Sequence, residues 1–147
     1  MADISITEAN VKLATTVGDA KTEQFVMGAT MGKGVVVYKD TVQSPAKLEL
    51  ADADGVSDLI ATVAGILLFG GVEDDIGLMI TKGEFVVGGT LSKGVMYYLS
   101  ETAGGIAPFA DLTSGSKIVE LGRAISTTIL DVDINIVKDS DGTFVTI

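Results

Sequence analysis

Histidine and cysteine are absent from this chain, so the side chains that could do chemistry are carboxylates, lysines, tyrosines and hydroxyls. That removes the Ser-His-Asp triad and its imidazole-based relatives, zinc sites made of imidazole or thiolate, thiolate nucleophiles and disulfide frameworks. Two acidic phrases resemble fragments of a calcium loop: Asp52-Ala-Asp54-Gly55 with Asp58, and Asp139-Ser-Asp141-Gly142. A calcium-binding EF-hand needs a twelve-residue frame that ends in a bidentate Glu and is flanked by helices, and neither phrase supplies one. Asp-x-Asp-Gly is also turn language, since Asp hydrogen-bonds its own backbone and Gly takes a left-handed conformation, and both phrases are read as turns. Glu73-Asp74-Asp75 is read as a solvated loop. A carboxylate pair for glycoside hydrolysis would need a cleft rimmed by aromatic rings, which a chain with no Trp and three Tyr is poorly equipped to build. Lys33-Gly34 and Lys93-Gly94 invert the Lys-after-Gly order of a phosphate loop and are followed by Val, with no helix, so they are expected to be exposed turn residues. Tyr38 and Tyr98 occupy one repeated position, which favours packing with the hydroxyl reaching water over catalysis. No catalytic, cofactor or metal residue is assigned, and the chain is not expected to be an enzyme.

The elements that carry these residues read as β throughout. FVMGATMGKGVVVY (Phe25–Tyr38) and FVVGGTLSKGVMYY (Phe85–Tyr98) agree at eight of fourteen places. Each copy reads as a strand, a turn with positive φ at Gly34 or Gly94, and a second strand, forming the corner of a hairpin or small barrel. A proline-containing loop, an Ala-Asp pair and an apolar run centred on Gly65 or Gly122 follow each copy, and DGTFVTI at the end is a third, partial echo. The expected fold is therefore all-β: a compact barrel or sandwich made from a duplicated strand-turn-strand unit. Residues 1–16 are read as an extended N-terminal arm. Residues 17–147 form a single β domain, with similar halves at about 23–80 and 83–147. The arm could be an edge strand of this domain or could add a strand to another chain. TTILDVDINIV alternates as a half-buried strand, with Leu130, Val132, Ile134 and Ile136 inward and Asp131, Asp133 and Asn135 outward. Leu59–Phe69 suits a strand covered on both faces. A short helix capped by Ser57 or Asp54 is conceivable at Val56–Ala61.

Twenty acidic against ten basic residues give a net charge of −10. That balance argues against nucleic acid as a partner and against an anionic membrane surface. Ala61–Val72, the most apolar stretch, is far short of the roughly 20 residues a spanning helix needs. No basic stretch followed by an apolar run reads as a secretory signal. The high apolar content with few aromatics fits a Val/Ile/Ala-rich β core, and it also fits apolar surface buried between chains.

The order of these phrases resembles the small capsid decoration proteins of tailed bacteriophages, also called cement or head-stabilising proteins. The resemblance runs from about Phe25 and is carried chiefly by Gly83–Ile106 (GEFVVGGTLSKGVMYYLSETAGGI) and Leu121–Ile134 (LGRAISTTILDVDI). It implies a β-rich homotrimer on the outer capsid surface of the virion, made in the host cytoplasm. There it would bind the major capsid protein where capsomers meet, and it would need no cofactor. Ile4, Ile6, Val11 and Leu13 of the arm are the expected capsid or subunit contacts. A fibre or spike module that binds a host glycan or protein is the alternative, and it would need an exposed aromatic platform; Tyr97 and Tyr98 are adjacent, but alternation puts them on opposite faces.

Overall fold

The computed structural model describes residues 3–14, 20–55 and 57–147. The ends of the expected arm (1, 2, 15 and 16), the start of the expected domain (17–19) and Val56 lie outside the described residues. The described residues form ten strands and three short 3₁₀ turns, with no α-helix. The strands are β1 (Lys12–Leu13), β2 (Lys21–Val26), β3 (Val36–Asp40), β4 (Lys47–Leu50), β5 (Val63–Phe69), β6 (Ile76–Val86), β7 (Met96–Leu99), β8 (Ile106–Pro108), β9 (Val119–Ala124) and β10 (Ile129–Ile136). The helix considered near residue 56 is a 3₁₀ turn at Asp58–Ala61, and Ser57 makes no side-chain cap there.

All strand pairings are antiparallel, and β6 organises them. At Ile80, β2 occupies one edge through Thr22 and β5 the other through Ile66. At Lys82, β2 is still on its edge through Lys21, and β10 has taken the opposite edge through Asp133. So β5 and β10 follow each other along the same side of one eleven-residue strand. Two five-strand runs branch from it, β4-β3-β5-β6-β2 and β8-β7-β9-β10-β6, in the same order.

The likeness between the runs extends to their irregularities. Val37 pairs with Gly65, and the register then slips so that Tyr38 pairs with Val63. Tyr97 pairs with Gly122, and the same slip brings Tyr98 to Glu120. Each slip is a β-bulge, which bends a strand and lets a sheet curl. The turn in each copy closes with one pair of backbone bonds. Gly34 N–H donates to Leu67 O at 2.7 Å and Leu67 N–H to Val35 O at 2.9 Å; Gly94 N–H donates to Ala124 O at 2.7 Å and Ala124 N–H to Val95 O at 2.9 Å. Gly34 (φ 85°) and Gly94 (φ 84°) take the left-handed conformation expected of them. The repeated phrase is a corner and not a hairpin, because β2 pairs with β6 while β3 pairs with β4 and β5.

The first run curls until its outer strands touch, at a parallel bridge between Met27 and Leu48. Met27, Met31, Val37, Leu48, Leu67 and Met79 fill its inside. The larger core lies against both runs and includes Val36, Ile66, Ile80, Phe85, Leu99, Leu121, Leu130 and Val132. Beyond β6, a second seam joins the runs: Val36 N–H to Gly104 O, Gly104 N–H to Ala51 O, and Ala53 N–H to Ser100 O, at 2.7–3.0 Å. β5 is covered on both faces from Val63 to Leu68. β10 buries Leu130 and Val132, half-buries Ile134 and Ile136, and exposes Asp131, Asp133 and Asn135.

Candidate functional site

The N-terminal segment lies against its own chain, in the second run. The first run closes directly, with Gly28 N–H donating to Leu48 O at 2.8 Å. In the second run the arm fills the gap between β8 and the turn after β6. Ile4 N–H donates to Ile106 O at 3.0 Å, and Thr7 N–H donates to Gly88 O at 2.7 Å. β1 then pairs with Val86 and Phe85. The arm's two carboxylates anchor it, with Ser100 Oγ donating to Asp3 Oδ2 and Lys33 N–H donating to Glu8 Oε1 at 3.0 Å. The slot admits it because it is lined by glycine. A Cβ on Gly88 would lie 2.7 Å from Thr7 O and 2.9 Å from Val11 Cγ2, and one on Gly89 would lie 2.5 Å from Ile4 Cγ2.

This arrangement separates the four arm residues expected to meet a partner. Val11 is 3% exposed and belongs to the chain's own core, and Ile4 and Ile6 pack against that core. Leu13 is exposed and lines a hollow with Phe69 and Leu78. The face of β6 that sends Ile80 into the core continues through half-buried Leu78 to Ile76. Phe69, paired across from Leu78, is 56% exposed, and Ile76 is 58% exposed. Val72 is exposed in the intervening hairpin. Leu13, Phe69, Leu78 and Ile76 make an apolar strip on one face of the β5–β6 pair, next to the hairpin that carries the acidic Glu73-Asp74-Asp75 loop. The signal for it in the sequence is apolar Ile76 flanking that loop, which a reading centred on the carboxylates passes over.

The acidic phrases are turns. Asp52 Oδ1 accepts from Asp54 N–H at 3.1 Å, and Asp139 Oδ1 accepts from Asp141 N–H at 2.9 Å and Thr143 N–H at 3.1 Å. Gly142 has φ 80°, while Gly55 does not take a positive φ. Among the described residues no group of three or more acids is placed to hold a metal ion. Glu73, Asp74 and Asp75 are exposed, and Asp75 Oδ2 accepts from Val72 N–H. Lys93 is exposed as expected, but Lys33 is half-buried, with its ammonium 5.0 Å from the Phe69 ring centre. Tyr38 and Tyr97 are buried, and Tyr98 is half-buried, edge-on to Phe109 with ring centres 5.3 Å apart.

Two carboxylates at the seam between the runs are tuned in opposite directions. Burial, reinforced by a hydrogen bond with Asp54, pushes Asp52 up to about 6. Hydroxyl bonds from Ser116 and Thr113 hold Glu101 below its ordinary value. The seam residues make bonds within the chain, and their arrangement is that of a clasp between runs. No protein-family model and no curated protein sequence matches this chain.

Proposed function

We propose that this chain is a structural virion protein that decorates and stabilises the capsid of a tailed phage, as a homotrimer bound to the major capsid protein where capsomers meet. The observation that carries this reading is the apolar strip of Leu13, Phe69, Ile76 and Leu78, presented by a chain of net charge −10. Contiguous apolar surface of this kind is what a protein presents to another protein. The resemblance of Gly83–Ile106 and Leu121–Ile134 to decoration proteins selects the kind of partner. Many modest contacts repeated over a lattice add up to strong reinforcement. Work done by lying against neighbours needs no nucleophile or metal cage, and the carboxylates and glycines here serve turns and seams. A fibre or spike module is the second reading; the half-exposed Phe109 beside Tyr98 is the aromatic surface it would use.

The test is sedimentation of the protein alone at micromolar concentration and together with expanded, undecorated phage capsids. We expect a trimer that co-sediments with the shell. The Phe69→Ser/Ile76→Ser variant should stay folded by circular dichroism and remain in the supernatant. A monomer that ignores capsids, or a variant that binds them as well as the parent, overturns the reading.

A further inference from the structure

The arm leaves a distinctive pattern of contacts. Its anchors are Lys33, Val86, Gly88, Ser100 and Ile106, each at least 25 positions from its partner in the arm. Apart from the 3₁₀ turn at Glu8–Asn10, the arm owes its position to a slot built by remote parts of the chain. The slot is a strand acceptor. It offers Ile106 O and Gly88 O as backbone acceptors and Ser100 Oγ and Lys33 N–H as donors to carboxylates. Val11 and Ile6 fill the space over Gly34 and Gly88 that side chains there would occupy. The equivalent gap in the first run closes without an inserted segment. The second run is thus incomplete until an extended segment is supplied.

We propose that the slot accepts residues 3–14 of a second copy, so that copies of this chain link by exchanging arms. Every copy carries both the slot and a segment that matches it, including the spacing of Asp3 and Glu8 against Ser100 and Lys33. An exchanged arm makes the same hydrogen bonds and buries the same Val11, so exchange retains the enthalpy of the closed monomer and is governed by concentration. Dilute protein keeps its arm in its own slot. Crowded copies trade arms by mass action. Backbone pairing supplies the affinity in such strand addition, and the alternate Ile4 and Ile6 supply the register. The proposal concerns copies of this chain alone and does not rest on the capsid reading.

The absence of native cysteine makes a clean trap. Full-length Asp3→Cys and Ser100→Cys chains, one of them ¹⁵N-labelled, are mixed, incubated over a range of concentrations and oxidised. Peptides joining residue 3 of one chain to residue 100 of the other are then counted by mass spectrometry. Those two side chains touch when the arm is seated. We expect the share of chains in the cross-chain peptide to rise about tenfold for a tenfold rise in concentration while it remains the minor product. The Asp3→Cys/Ser100→Cys double variant, kept dilute, should close within its own chain. If circular dichroism shows that these variants do not fold, Glu8→Cys with Gly32→Cys replaces them, since the Glu8 carboxylate lies over Gly32. Closure within the double variant with no cross-chain product at any concentration overturns the proposal. Failure of the double variant to close removes the seated arm on which it stands, and overturns it too.

Discussion

At the scale of single residues, the glycines divide by what they tolerate. Gly94 and Gly88 both have φ near +80°, but a Cβ on Gly94 would meet nothing within 4 Å, whereas one on Gly88 would meet Thr7 and Val11. Gly94→Ala should therefore cost only the left-handed strain, about 1–2 kcal/mol. Gly88→Ala should cost more and should also loosen the arm. Urea midpoints with amide exchange at Thr7 check both, and equal costs would mean that the arm does not press on Gly88. The seam carboxylates predict opposite pH responses. Asp52 is raised from 3.8 to about 6 in the fold, so the folded state holds its proton more tightly. Its stabilising contribution is present below pH 4 and is lost as pH rises through about 6. Glu101 is lowered from 4.5, so its contribution is present above that pH and is lost as pH falls below it. Asp52→Asn should flatten the decline in stability between pH 4 and 6, and Glu101→Gln should flatten the decline on the acid side, both read from denaturation midpoints across pH.

At the scale of elements, the arm is part of the fold. Val11→Ala empties a buried site and should cost about 2 kcal/mol, while Leu13→Ala, exposed on the edge, should stay within about 0.5 kcal/mol. Chemical denaturation of the two single variants checks this, and equal small losses would mean that the arm is loosely held. Other elements were legible because their signals are local. The alternation of Leu130 to Ile136 reports a strand wet on one face, and Asp139-x-Asp141-Gly142 reports its own turn. Gly34 and Gly94 report a positive φ because that depends on the residue itself. The repeat reads as the corner of a hairpin or of a small barrel, and which of the two it builds was not legible, since strand partners are chosen by packing across the sheet and β2 pairs with the distant β6.

At the scale of the whole molecule, β6 belongs to both runs, and the main core draws on both. Neither run can lose its packing without stripping the other, so thermal unfolding should be a single transition, coincident when followed by far- and near-ultraviolet circular dichroism. Two resolved transitions would show that the runs are separate cooperative units. The apolar strip also belongs to this scale. Leu13 comes from β1, Phe69 from β5, and Ile76 and Leu78 from β6, so no single stretch of sequence displays it.

The amino-acid sequence by itself determined what the chain cannot do with imidazole or thiolate, its β character, and where its glycine corners fall, because residue type and short-range spacing set each of these. Tertiary structure alone decided that β6 serves two runs, that the arm seats in a glycine slot of its own chain, and that Leu13, Phe69, Ile76 and Leu78 come together on one face. Those features are pairings between residues tens of positions apart, chosen by the burial of side chains against one another.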